Sequence, residues 1–449
     1  MGEQKDIYSR HVVNILVSLT LVLSFGPSGF ASNAREKTLY TFQGNSGTVI
    51  DGSIPTGGLI ADTSGNLYGT TISGGADTAC SCGTVFQLSP PLSPGGAWTE
   101  TVLHSFSGSD TDGASPFFST LLLDKFGNLY GTTQSGGHAG AGTIFKLSPP
   151  TTAGAAWTET ILYTFNSPYK HAGFPGPSLA MDESGNLYGT TEEGGGGTHC
   201  PHGANDCGVV FKLRAPGSPG GTWILSVISS FGVSSNDLGT PSNLVLHNGV
   251  FYGTANTPDG TGAVFQLANH HGVWTRTTLH EFSLDTVELP GSLTLDPAGN
   301  IFGTAGSKGG ACVNACGAVF ELSPPVGSVA SWSEVTLYVF TGGNDGAEPE
   351  GHLVFDKAGN LYGTAAWGGL EKNGIRQNGT IFELSPPAVF GSPWSETTLY
   401  QFGSKPGDEL QPVSGLLLLK GKFYGTTTGG SLFEGFNESG TVFSLTLVP

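Results

Sequence analysis

Six cysteines, two acidic repeats and two aromatic loops carry most of the chemical potential of this chain. Cys82, Cys207 and Cys316 each stand directly before a glycine that opens an apolar segment, and each has a neighbour close by, at Cys80, Cys200 and Cys312. In an exported chain, such close pairs read as local disulfides that staple long loops. Cys200–Cys207 and Cys312–Cys316 have workable spacings, whereas the single residue between Cys80 and Cys82 opposes disulfide geometry. His199, Cys200, His202 and Cys207 could alternatively supply four metal ligands, an arrangement that oxidation of the thiols would remove.

The carboxylates follow a stricter pattern. Asp51, Asp112, Asp237, Asp345 and Asp408 each stand four residues before a proline, at Pro55, Pro116, Pro241, Pro349 and Pro412. His171 precedes Pro175 and Thr286 precedes Pro290 at the same distance. A ring of such carboxylates could hold Ca2+ or a cationic ligand. Repetition is also what a turn requirement produces, because aspartate accepts backbone N–H bonds in tight loops, and we favour that reading. Asp62, Asp124, Asp182, Asp296 and Asp356, each just before a Gly-Asn pair, are turn residues on the same ground.

Two loops depart from all repetition. One holds Trp367 with Glu371, Lys372 and Arg376; the other holds Phe433, Glu434 and Phe436. Aromatic rings flanked by charges suit stacking against a sugar or a peptide. The competing expectation is that these rings fold inward as caps on apolar edges. His270-His271 reads as an exposed turn rather than a pair of metal ligands. The sequence has no nucleophile elbow, phosphate loop or His-Glu-x-x-His helix.

A repeating set of strands must position these residues. The string Gly65-Asn-Leu-Tyr-Gly-Thr-Thr71 returns six times with variations, its second glycine falling at 69, 131, 189, 253, 303, 363 and 425. A second element, typified by Gly83-Thr-Val-Phe-Gln-Leu88, also occurs seven times, and a third runs from a tryptophan to a phenylalanine, as in Trp98–Phe106. With the short apolar run before each Gly-Asn turn, every unit reads as four strands, and Ser-Pro-Pro stops the third because proline cannot donate to a ladder. Seven such units fit a seven-bladed β-propeller. The last unit lacks a fourth strand, while the chain opens with a spare one, Lys37–Phe42. Pairing the two completes the seventh blade and removes a sheet edge. Trp98, Trp157, Trp223, Trp274, Trp332 and Trp394 read as filler between blades. In this arrangement the Asp-x-x-x-Pro connections and the two aromatic loops are expected on one face, near the mouth of the central channel.

These motifs resemble the GloVer-type tandem-repeat family of exported proteins, whose repeats centre on Gly-Asn-Leu-Tyr-Gly-Thr-Thr, a Gly-Gly loop and Gly-Thr-Val-Phe. The resemblance spans nearly everything from Lys37 to Leu445 and implies the fold and export, without assigning an activity or catalytic residues. A looser likeness to propeller lactonases and lyases rests on Gly-Asn-hydrophobic turns and stays at the level of fold.

Composition agrees with an all-β chain. Glycine supplies 72 residues and proline 27, while charged residues make up 12%. A net charge of −18 disfavours nucleic acid and other polyanions as partners. Lys5, Arg10 and His11 precede an apolar run from Val12 to Phe25 and a small-residue stretch at Ser32-Asn33-Ala34. That is the layout of a signal peptide over residues 1–34, leaving residues 35–449 as a single propeller domain, secreted or periplasmic, monomeric and without a membrane span or C-terminal anchor. The expected role is non-catalytic recognition of an extracellular carbohydrate or protein through variable loops on a rigid ring. The alternatives are a hydrolase or lyase acting on a carbohydrate or lactone at the channel mouth, and a structural or adhesive surface protein.

Overall fold

A computed structural model describes residues 34–44, 50–152, 154–166, 172–200, 207–218, 220–282, 288–307, 316–327, 331–370, 378–389, 392–405, 408–430 and 439–448. The segment expected to be a signal peptide therefore lies almost wholly outside the described residues. So do Cys312, Arg376, Phe433, Glu434 and Phe436.

Seven antiparallel sheets form the blades of a propeller, each built on four strands that are consecutive in sequence except in the last blade. Blade 1 is typical: Ile60–Ala61 on the inside, then Leu67–Thr71, Thr84–Ser89 and the outer Thr99–Ser105. The ring closes as the repeat count requires. Ala34–Thr41 pairs antiparallel with Thr441–Leu447, with Ala34 opposite Leu447 and Thr41 opposite Thr441, and so supplies the outer strand of blade 7.

The repeated residues are explained by stacking one blade on the next. The second and third strands are covered on both faces, so Leu67, Val85, Phe86 and Leu88 have no exposed surface. Gly69 lies inside a strand because the ring of Phe86 crosses it: a Cβ there would sit 2.6 Å from Phe86 Cζ and 3.0 Å from Leu59 Cδ2. The tryptophans that open the outer strands fill the space between blades. Trp157 packs on Tyr68 of the preceding blade at 6.2 Å between ring centroids, Trp98 on Tyr424 at 6.1 Å, and Trp332 on Tyr252 at 6.5 Å. The threonine after the strand glycine ties several blades together: its hydroxyl donates to a backbone carbonyl of the next blade, Thr70 to Ser119, Thr132 to Gly176 and Thr364 to Ser414.

Candidate functional site on the propeller axis

Each inner strand is reached through a short variable stretch between the repeated proline and a buried leucine. These stretches are Thr56–Gly58, Phe117–Thr120, Gly176–Ser178, Ser242-Asn243, Gly291-Ser292, Glu350–His352 and Val413–Gly415. The leucines that follow, from Leu59 in blade 1 to Leu416 in blade 7, are anchored in the core. All seven variable stretches therefore converge on the axis, where they line a cavity of about 620 Å³. No spacing within one unit announces this site. Aligning the seven units and asking where they stop agreeing between proline and leucine would have found it.

The lining is asymmetric. Blade 2 contributes Phe117 and Phe118, rings 4.4 Å apart and edge to face, with Phe118 N–H fixed to Thr56 Oγ1 at 3.1 Å. Phe117 remains 38% exposed. Trp367 enters from blade 6, its backbone held by paired bonds with Ala347 at 2.8 and 3.0 Å. Its half-buried ring also packs on the core cluster that includes Phe302, Leu353 and Phe382. The structure thus joins the two expectations for this side chain: it caps an apolar edge and lines the cavity. Gln411, from the connection into blade 7, is only 2% exposed, yet its Nε2 donates to nothing.

The two ionisable groups of the lining, Glu350 and His352, come from blade 6. Glu350 is open to the cavity but surrounded by protein, and its carboxyl is pushed up to about 7, by burial first and by the charge of Glu348 second. Burial holds the His352 imidazole below its ordinary value, so it is neutral at pH 7. Its ring lies against Gly415 of blade 7, where any Cβ would collide with it. Among the described residues, no lysine or arginine lines the cavity.

The repeated carboxylates lie elsewhere. Asp51, Asp112, Asp237, Asp345 and Asp408 are not among the residues that line the cavity. Their hydrogen bonds are made mostly within their own connections and to the adjoining outer strands. Asp51 accepts from Gln43 N–H, Gly52 N–H and Tyr40 Oη, and Asp345 accepts from Thr341 and Gly343 N–H and from Tyr338 Oη. Asp237 bonds Val233 and Leu238 N–H and pairs with Arg276; Asp408 bonds Ser404 N–H and Tyr400 Oη. The residue before the proline lies in the left-handed region at Ile54, Ser115, Phe174, Glu348 and Gln411, a costly conformation for side chains larger than glycine. It persists because that residue spans two blades. Ser115 N–H donates to Cys82 O of blade 1 while its carbonyl accepts from Gln134 of blade 2, and Gln411 does the same between Asn378 and Thr428. The second acidic set likewise braces turns: Asp62 accepts from Gly65 N–H, Asn66 N–H and Nδ2, and Tyr68 Oη.

Cys200 and Cys207 form a disulfide with Cα atoms 5.2 Å apart. Cys80 and Cys82, the pair whose spacing is least favourable, are also joined, with Cα atoms 5.0 Å apart. Cys316 is disulfide-bonded. Cys207 is buried. His270 and His271 occupy an exposed hairpin turn.

With the fold and cavity in place, comparison with known proteins is informative. The sequence profile of the Gloeobacter/Verrucomicrobia repeat matches residues 29–200 and 290–448. The chain belongs to that repeat family. The stretch outside the match covers blade 4 of this Gloeobacter/Verrucomicrobia repeat protein, where Val250 replaces the turn asparagine and Arg276 replaces the glutamate of the outer strand. No curated protein matches the chain in sequence. Solved structures with a similar fold include the polysaccharide lyase Uly1, at 10% identity, a TM-score of 0.53 and coverage of 92% of this chain and 99% of that one. Another is a candidate 6-phosphogluconolactonase from Bacteroides fragilis NCTC 9343, at 14% identity, a TM-score of 0.52 and coverage of 87% and 99%. Likeness at these identities concerns the fold alone.

Proposed function

We propose that this repeat protein is an exported, non-catalytic recognition module whose axial cavity takes a small uncharged carbohydrate. The lining carries the reading. Phe117, Phe118 and Trp367 offer apolar ring faces, while Gln411, Asn243 and the serines and threonines around them offer neutral donors and acceptors. A volume of about 620 Å³ falls in the range of small-ligand pockets, which combine apolar walls with a few fixed polar groups. Among the described residues the wall holds no lysine or arginine, and with a net charge of −18 this disfavours phosphorylated or acidic sugars. The catalytic alternative, a hydrolase or lyase, draws on Glu350, whose carboxyl changes charge near neutral pH as a general acid or base does.

One experiment separates these readings. The full chain is titrated calorimetrically with a panel of neutral and acidic oligosaccharides, and each mixture is then assayed for products. Binding of a neutral sugar, weakened tenfold or more by Phe117→Ala at unchanged melting temperature, is the expected result. Phe117 is a cleaner probe than Trp367, whose ring also packs on the core. Binding confined to acidic sugars would overturn the proposal, and turnover abolished by Glu350→Gln would replace it with the catalytic reading.

A further inference from the structure

A second constellation lies away from the axis, between outer strands. At each blade junction three positions meet: the residue two before the phenylalanine that ends an outer strand, the aspartate of the connection, and the third residue of the next outer strand's tryptophan motif. The described junctions hold Tyr40, Asp51 and Glu100; His104, Asp112 and Glu159; Ser229, Asp237 and Arg276; Tyr338, Asp345 and Glu396; and Tyr400, Asp408 and Glu36. Where tyrosine occupies the first position, its hydroxyl donates to the aspartate. Where Arg276 occupies the third, it neutralises Asp237. The junction of blades 1 and 2 differs, because all three of its groups can offer a lone pair to one point.

We infer that His104, Asp112 and Glu159 form a Zn2+ site at the junction of blades 1 and 2. Among the described residues this is the one group of three or more histidine, cysteine or acidic side chains whose ligand atoms all lie within 4.8 Å of one another. His104 Nε2 stands 3.3 Å from Asp112 Oδ1 and 3.5 Å from Glu159 Oε1. Ligands at about 2.0–2.2 Å from a tetrahedral zinc lie roughly 3.4 Å from each other, so both separations already match. A proton on Nε2 serves the same three atoms poorly, since one N–H can point at only one oxygen. Glu159 Oε1 is in fact buried and accepts no hydrogen bond, the kind of orphan that a cation would satisfy.

The surroundings fit a fixed ligand set. The side chains are 12–20% exposed, leaving room for a water in the fourth position. Ser107 N–H and Oγ hold Asp112 Oδ2, each at 2.8 Å, and Gly113 N–H holds Oδ1 at 2.7 Å. Those bonds orient the carboxylate before any ion arrives. The imidazole packs edge to face on Phe106, centroids 4.8 Å apart. One imidazole and two carboxylates are a borderline donor set that suits zinc better than calcium. The site lies on the rim rather than the axis, so zinc there would clamp two blades together.

The test titrates the tag-free, metal-stripped full chain with Zn2+ by calorimetry. One ion per chain is expected at this site, bound tenfold or more weakly in Glu159→Gln and in His104→Gln, with Glu396→Gln at the blade 5–6 junction unchanged. Glu159→Gln preserves the side-chain shape, and circular dichroism verifies that each variant is folded. A wild-type protein that takes up no Zn2+, or a His104→Gln/Glu159→Gln protein that binds it as tightly, would overturn the assignment; the second result would place the ion on other histidines, such as His270-His271.

Discussion

Replacing Gly69 with alanine tests whether the glycine of the repeat motif is there to admit a neighbouring ring. Two effects oppose each other. The glycine lies in a strand and outside the left-handed region, so a Cβ restricts the unfolded chain and should stabilise the fold by about 0.4–1 kcal/mol. Against this, the new carbon would sit 2.6 and 2.9 Å from Phe86 Cζ and Cε1 and 3.0 Å from Leu59 Cδ2. Ordinary carbon contacts begin near 3.5 Å, so the ring must retreat by roughly an ångström. Phe86 has no exposed surface and packs edge to face on Phe42 with centroids 5.0 Å apart, leaving nowhere to retreat. Overpacking of this kind costs about 1–3 kcal/mol, and the steric term wins by about 1–2 kcal/mol. Urea unfolding followed by tryptophan fluorescence measures the difference. Gly217→Ala is the control, because a Cβ there meets nothing within 4 Å and only the entropic gain operates. Phe86→Leu, which removes the colliding atom, should make Gly69→Ala less costly in the double variant than alone. Equal stability of the Gly69→Ala and Gly217→Ala proteins would refute the reasoning.

Two further outcomes follow from the rim and from the seam. Burial, then the charge of Asp51, pushes the Glu100 carboxyl up to about 8, and burial, with Asp345 adding to it, pushes Glu396 up to about 7. Folded-state values above the unfolded value of 4.5 mean that the folded chain holds protons the unfolded chain releases; this stability is present below pH 4.5 and lost as pH rises through 7 to 8. The melting temperature should therefore fall between pH 5 and 9, and Glu100→Gln/Glu396→Gln should flatten that slope; an unchanged slope would remove these groups as its cause. Deleting residues up to 44 strips the partner from Thr441–Leu447 and uncovers Phe42's neighbours Phe86 and Val442. A lower melting temperature and self-association on a light-scattering column are expected through the newly open sheet edge; a monomer of unchanged stability would contradict the closure.

The fold was legible in the sequence because repetition exposes it. Seven variants of Gly-Asn-Leu-Tyr-Gly-Thr fixed the number of blades, and the spare strand at Lys37–Phe42 fixed the seam. The tryptophans read as filler do pack on the preceding blade. The aspartates read as turn residues do bond the backbone of their own connections. The cavity was hidden for the opposite reason. Phe118, Asn243, His352 and Gln411 share no residue type, and only closure of the ring brings them together. Trp367 was found because it broke the pattern. His104 and Glu159 escaped because each stands at an ordinary position of a repeated strand. Their significance appears only when equivalent junctions are compared and one alone offers three lone pairs.

Ring closure has a mechanical consequence. Ala34 lies opposite Leu447 at the start of the seam, and the pairs from Arg35↔Thr446 to Thr41↔Thr441 follow inward. The two ends of the folded chain therefore leave from the same point, on neighbouring antiparallel strands. Tension between them bears on Ala34 and Leu447 first and opens the ladder one pair at a time, rather than loading all of its bonds together. Attached to a surface through one end, the ring feels no such force. Held at both ends, it would unzip at the seam, and the salt bridge of Glu36 with Lys405, partners 369 residues apart in sequence, would be among the first contacts to part.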